Sequence, residues 1–311
     1  MQERSIRALD LNLLVTLNAL LEERSVTRAA ERVGVSQPAA SAALGRLRRY
    51  FGDELLKRSG GKYSLTPLGV ELLPRTEEAL ESVTRVFDAG SDFDPGHADH
   101  EFTLMMSDYA ATVIGPPLTA LVAAQAPGVR LRLEQMEPFA AAHAHEVLRS
   151  VDGLFLPYGM ISDLPAVDLF QETWVAIVAC DHPTVGDALT LAQAADLSWV
   201  TSVHGREGST PAVQQLRAAG VEPRVVVVVD GFSAIPFLVA DTDRVALLPS
   251  RLAQLLAHVA RVKVVPCGWP VVPMRTAMWW HPERRSDPAH SWLRGSVADA
   301  ARTVGSAPGV A

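Results

Sequence analysis

Leu14, Leu17 and Leu21 recur at three- and four-residue spacing near the start of the chain, which predicts a helix with one apolar face and Asp10 at its N-cap. A second short helix is predicted over Val26–Val33, capped by Ser25, with Ala29, Ala30 and Val33 turned inward. Gly34 suits the tight turn that ends it, because glycine tolerates positive φ. Ser36-Gln37-Pro38 then opens a third helix that runs to about Tyr50. Serine caps it, and proline costs little in a first turn, whose N–H groups have no intrahelical partner. Ala40, Ala43, Leu44 and Leu47 form the inner face; Gln37, Ser41, Gly45, Arg48 and Arg49 point outward. Two short helices joined by a glycine turn, the second opening with small polar residues, predict a helix-turn-helix.

Thr66-Pro67 reads as N-cap plus first helical residue of a long helix reaching about Phe87. Along it Leu72, Thr76, Ala79, Val83 and Val86 alternate at spacings of four and three, a heptad seam expected to pair with a second copy. Pro74 removes one helical hydrogen bond and predicts a kink. Residues 91–100, rich in Asp, Gly and Pro, predict a hinge. Beyond it, extended segments at 102–106, 129–134, 151–156, 173–180, 199–202, 224–230, 244–248 and 274–280 alternate with helical ones, including 109–125, interrupted by Pro116-Pro117, and 140–150. That alternation predicts an α/β fold with open, mostly parallel sheets, and about 210 residues suit two lobes.

Charge changes the picture of the head. The 311 residues carry a net −7, which taken whole argues against nucleic acid, but residues 1–70 hold 11 basic and 7 acidic groups while the rest nets −11. A groove-reading helix needs small side chains near its N-terminus; Ser36, Gln37, Pro38 and Ser41 supply them, and Gln37 suits bidentate pairing with an adenine edge. Arg46, Arg48 and Arg49 follow at phosphate-reaching positions, and the basic glycine turn at 57–62, with Arg58 and Lys62, reads as a wing. In the acidic body, ligands of open α/β sheets bind beyond the carboxyl ends of strands. That rule selects Ser107, Asp108 and Tyr109, the segment 135–139 with Phe139, Thr201, Ser202 and His204, and Asp230 to Phe232. Tyr109, Phe139 and Phe232 would favour a small aromatic acid, with His204 offering it a hydrogen bond or charge.

Residues 9–75 resemble the winged helix-turn-helix of LysR-type transcriptional regulators. The resemblance rests on Ala29-Ala30-Glu31-Arg32-Val33-Gly34-Val35-Ser36-Gln37-Pro38-Ala39-Ala40-Ser41, then Leu44, Leu47, Phe51-Gly52, Leu55-Leu56 and Arg58. Arg48 stands where the family often has Glu, and Leu56 where it often has Phe. Val151-Asp152-Gly153, Asp181-His182-Pro183, Trp279-Trp280-His281-Pro282 and Asp287-Pro288-Ala289-His290 extend the likeness, and Pro74 is similar to a feature of the nodulation and salicylate-responsive subgroup. The resemblance implies a winged helix-turn-helix DNA-binding domain at 1–66, a dimerisation (linker) helix at 67–90, a hinge at 91–100 and an effector-binding domain at 101–311. The last would have the two-lobed periplasmic-binding-protein fold, lobe one being 101–162 with 269–304 and lobe two 163–268, joined by two crossover strands. It further implies double-stranded promoter DNA, a small-molecule effector and a second copy as partners, the dimers joining into a homotetramer.

Other chemistry finds less support in the chain. No nucleotide-binding glycine loop or nucleophile elbow is present, so no catalytic residue and no cofactor are expected. His143 and His145 are two apart and diverge on a helix, so no metal is expected there. Cys180 and Cys267 alone do not make a disulfide framework, and the opening MQERSIRALD does not read as a signal peptide; both fit a cytoplasmic protein with no membrane span. The alternative is an α/β solute-binding or enzymatic protein with a helical head for protein contacts.

Overall fold

A computed structural model of the chain describes residues 10–59, 62–88, 93–137, 140–202 and 210–306. The chain divides into two compact units, Met1–Ser91 and Asp92–Ala311.

In the first unit the helices are α1 (Leu11–Glu23), α2 (Val26–Val33), α3 (Gln37–Phe51) and α4 (Pro67–Asp88), with the hairpin β1 (Leu56–Ser59) and β2 (Lys62–Leu65) before α4. The expected caps form: Asp10 accepts from the Asn12 N–H at 3.0 Å, Ser25 from Arg28 and Ser36 from Ala39, both at 3.4 Å. Gly34 ends α2 at φ 73°. Leu17, Leu20, Leu21, Ala29, Leu44, Leu47, Leu55 and Leu56 make the core, and α4 lays Leu68, Leu72 and Leu73 against it. Leu72 and Thr76 therefore face the chain's own head rather than a second copy. Thr76 is buried and its hydroxyl lies 2.9 Å from Asn18 Oδ1 of α1. Pro74 sits inside a continuous α4.

The second unit holds two five-stranded sheets. The first, in the order β4-β3-β5-β12-β6, comprises β3 (Glu101–Met106), β4 (Arg130–Gln135), β5 (Gly153–Pro157), β6 (Ala166–Glu172) and β12 (Met274–Trp279). The second, β11-β7-β10-β8-β9, comprises β7 (Trp174–Ala179), β8 (Ser198–Ser202), β9 (Arg224–Val229), β10 (Arg244–Pro249) and β11 (Val262–Val265). The sheets are mixed rather than mostly parallel, because β12 runs antiparallel to β5 and β6, and β7 antiparallel to β10 and β11. β6 and β11 were not expected from the sequence. Since β6 bonds in the first sheet, the chain passes to the second lobe at Thr173, not 163. Within the expected hinge at 91–100, Phe93 packs on Trp292 and Phe102 of the second unit, to which it belongs. α5 (Asp108–Gln125) is unbroken through Pro116 and Pro117, and α6 is confined to Ala144–Ser150.

A buried network closes the first lobe. Asp152 accepts from the Thr103 N–H (2.8 Å) and pairs with Arg284 (3.2 Å). His290, fully buried near the start of the C-terminal helix Pro288–Ser306, has Nε2 2.7 Å from the Asp152 carbonyl and Nδ1 2.7 Å from Arg294 Nη1. A guanidinium only donates, so Nδ1 accepts and Nε2 carries the proton. Burial lowers the His290 pKa, reinforced by Arg294 and Arg284. The Asp152 and His290 strings noted in the sequence thus meet in one lock.

Candidate functional site

The outward face of α3 is open at its N-terminal end. Ser36, Gln37, Pro38 and Ser41 are all exposed, and Ser36 serves as the cap. Arg46 and Arg49 are exposed as well; Arg46 lies 3.9 Å from Asp10, and Arg49 Nε donates back to the Gly45 carbonyl at 3.3 Å. Arg48 departs from expectation. Its Nε donates to the Glu54 carbonyl (2.9 Å), Nη2 to the Leu56 carbonyl (3.0 Å), and Nη2 also pairs with the Glu54 carboxylate at 2.9 Å. A guanidinium so engaged anchors the approach to β1 and is not turned toward phosphate. The side chains of Arg58, Lys62 and Val86 lie outside the described part of the structure. Ala79 and Val83 are partly buried along α4.

In the second unit the carboxyl ends of β3, β8 and β9 carry the residues expected around a cleft. Ser107 caps α5, accepting from Ala110 N–H at 3.2 Å. The next residue, Asp108, reaches the other lobe: Oδ1 accepts from the Phe232 N–H (3.0 Å) and Oδ2 from the Ser233 N–H (2.7 Å), just beyond β9. A Cβ on Gly231 would stand 2.7 Å from Asp108 Oδ2, so glycine is what lets the carboxylate approach. Tyr109 and Phe232 meet edge to face at 6.3 Å, Trp174 lies 5.9 Å from Phe232, and all three are buried. The two expected aromatics thus form a packed seam between the lobes rather than an exposed wall. Thr201 and Ser202, ending β8, are buried, and the Ser202 hydroxyl has no hydrogen-bond partner among the described residues. Phe139 and His204 lie outside the described residues.

The sequence reading missed the hub beside this seam. Glu172, fully enclosed at the end of β6, accepts from the Tyr109 hydroxyl (2.9 Å), the Ser250 hydroxyl (2.5 Å) and the Thr173 N–H (3.0 Å). Arg251 pairs with it at 3.2 Å and donates to the Gln171 carbonyl at 2.8 Å. Burial, with the neighbouring Glu172 charge, raises the Tyr109 pKa well above its ordinary value, so the phenol stays a donor. The available signal was weak: a lone acid at a strand end, and a Ser-Arg pair after Pro249.

His143 lies 3.6 Å from Glu146 and His145 2.9 Å from Asp163. Among the described residues, no group of three or more His, Cys, Asp or Glu is placed to hold a metal ion, and no helix is long and apolar enough to cross a membrane.

Comparison with known proteins places both units. Residues 11–70 match the bacterial regulatory helix-turn-helix protein, lysR family, and residues 95–302 match the LysR substrate binding domain. The chain is 35% identical over 294 residues to nodulation protein D 1 of Rhizobium tropici, covering 93% of this chain and 94% of that protein. Against nodulation protein D 1 of Rhizobium meliloti it is 34% identical over 293 residues, with 93% and 94% covered. Its fold superposes on a probable transcriptional regulator of Pseudomonas aeruginosa with a TM-score of 0.78, at 30% identity, covering 94% of this chain and 98% of that one. A DNA-reading helix-turn-helix joined to a two-lobed effector-binding domain, matched over both parts, makes this chain a member of the LysR family of transcriptional regulators.

Proposed function

We propose that Ser36, Gln37, Pro38 and Ser41 enter the major groove of promoter DNA, that Arg46, Arg49, Arg58 and Lys62 hold phosphates, and that a small molecule enters between the lobes of the second unit. The observation that carries the DNA reading is the exposed, small-residue N-terminal face of α3, free of bulky side chains where a groove-reading helix must be narrow. The buried Ser202 hydroxyl at the end of β8 supports the second part, since a donor of that kind suits a polar ligand atom. Asp108 already caps the N–H groups beyond β9, so an effector is better bound at the β8 end, by Thr201, Ser202 and the segment carrying His204, than at Phe232. Ala79, Val83 and Val86 of α4 pair two copies, and dimers join into tetramers. The protein works in the cytoplasm as a switch and returns its effector, an aromatic acid on this reading, unchanged.

The test is binding of purified protein to DNA upstream of its own gene. Gln37→Ala should cost about 1–3 kcal/mol at one base position and relax discrimination there. Equal loss on random DNA would remove Gln37 from base reading; no salt-dependent, sequence-preferring binding by the wild type would remove the whole assignment.

A further inference from the structure

Two buried threonines join α4 to the DNA-reading head, and each bonds beyond its own helix. Thr66 is 1% exposed; its hydroxyl lies 2.6 Å from Asp53 Oδ1 and accepts from the Gly69 N–H at 3.0 Å. N-capping of α4 explains the second bond but not the first. The same Asp53 oxygen accepts from the Leu55 N–H at 2.6 Å, and Leu55 is a non-glycine residue at φ 59°, a strained left-handed conformation. The Leu55 carbonyl in turn accepts from the Thr66 N–H at 3.0 Å and lies where a Cβ on Gly69 would meet it at 2.7 Å. Arg48 of α3 holds the neighbouring carbonyls of Glu54 and Leu56. The turn at 53–56 is therefore bonded both to the recognition helix and to the residue that caps α4.

The second anchor is Thr76, ten residues further, about 15 Å along the helix. Its hydroxyl lies 2.9 Å from Asn18 Oδ1 and 2.8 Å from the Leu73 carbonyl of its own helix, so its single proton is shared between two acceptors, and Asn18 Nδ2 donates to Glu22 at 3.1 Å. Thr76 is mid-helix, where no cap is needed. Apolar packing alone is non-directional and lets a helix roll or pivot. Directional contacts at both points, about 15 Å apart, restrain its tilt and its rotation.

We infer that Thr66 and Thr76 are specificity-determining residues for the spacing between DNA half-sites: by fixing the angle between α3 and the pairing helix α4, they set how far apart, and at what twist, two recognition helices are presented. The inference rests on the proposed pairing through α4. One base pair of spacer rotates a half-site by about 35° and moves it by about 3.4 Å, so a rigid joint must discriminate sharply and a loose one must not.

The test uses the full chain and an operator selected from random DNA by the wild-type protein, with the spacer between half-sites changed by up to two base pairs either way. The wild type and the hydroxyl-keeping double variant Thr66→Ser/Thr76→Ser should lose about tenfold or more in affinity at the extreme spacings. Thr66→Val/Thr76→Val should flatten the profile to within about threefold while keeping the base preference within each half-site and the salt slope. If that variant does not fold by circular dichroism, Thr76→Val alone and Asp53→Asn carry the same expectation in part. An unchanged spacing profile overturns the inference, and so does an equal loss at every spacing and on a lone half-site, which is the mark of a merely structural role. A wild type that prefers its operator sequence but ignores spacing would overturn the paired-helix reading itself.

Discussion

Replacing Glu172 by glutamine should destabilise the second unit more than removing the Tyr109 hydroxyl that binds it. Each Glu172 oxygen faces two donors: Oε1 the Ser250 hydroxyl and the Thr173 N–H, Oε2 the Tyr109 hydroxyl and Arg251. A glutamine keeps one acceptor oxygen and turns an NH2 toward the other pair; the hydroxyl of that pair can turn to accept, but its obligate donor, the Thr173 N–H or Arg251, then meets a donor, and the Arg251 charge loses its counter-ion either way. Breaking a buried ion pair from one side costs about 3–5 kcal/mol. Tyr109→Phe removes one bond to a charged group, about 1.5–3 kcal/mol, and leaves three donors in place. In a unit of this size 1 kcal/mol moves the melting midpoint by about 2–4 °C, so Glu172→Gln should fall by about 6–20 °C and Tyr109→Phe by clearly less. Scanning calorimetry of the full chain measures both, following the transition of the second unit. A Tyr109→Phe variant that loses as much as Glu172→Gln would refute the reasoning, because it would make the phenol's packing, and not the carboxylate's four-way bonding, the source of stability.

Arg49→Ala should lower the slope of log affinity against log salt by about one, whereas Arg48→Ala should leave the slope intact and raise hydrogen exchange in the β1–β2 hairpin; exchange and titrations at several salt concentrations separate them. His290 has a lowered pKa in the folded protein, so the unfolded chain binds the extra proton first, and stability is lost as pH falls below about 6.5; melting midpoints between pH 7 and 5 should fall for the wild type and fall less steeply for His290→Gln. Burial pushes the Cys267 thiol up to about 12 while Cys180 is exposed, so a thiol reagent at pH 8 should modify Cys180 rapidly and Cys267 only on unfolding, as peptide mapping would show.

What the sequence made legible was local. Asp10, Ser25 and Ser36 cap helices within three residues of themselves, and Gly34 answers a backbone demand at its own position, so each was readable from a few letters. The outward face of α3 followed from the same periodicity. Arg48 was misread because its partners are carbonyls of a turn whose path depends on Leu55 adopting φ 59°, which no spacing announces. The mixed sheets were missed because a run of apolar residues carries no direction; β7 and β12 look like parallel strands until their neighbours are known. Pro116 and Pro117 were expected to interrupt α5, but its apolar face packs on the C-terminal helix Pro288–Ser306 and on β3, and tertiary burial outweighs the local cost. Glu172 was invisible for a different reason: its partners Tyr109 and Ser250 stand 63 and 78 residues away.

The lobe seam is part apolar and part hydrogen-bonded, and the hydrogen-bonded part bears directly on how such a regulator responds to its effector. Beside the Tyr109, Trp174 and Phe232 rings, the lobes are joined by Asp108 to the Phe232 and Ser233 N–H groups and by Glu172 to Ser250 and Arg251. An apolar seam resists separation by roughly 25 cal/mol for every Å² it would expose, with nothing in water to replace what is lost. Hydrogen-bonded groups are different: water takes up each donor and acceptor as the lobes part, so the net cost per bond is only about 0.5–1.5 kcal/mol, and about 1.5–3 where a charge is involved. Two arrangements of the lobes separated by a few kcal/mol are within reach of a small molecule, since a ligand moves an equilibrium only by its difference in affinity for the two states. Gly231 is the residue on which this balance turns. A methyl group there would hold Asp108 off its two N–H groups and weaken one latch without touching the other.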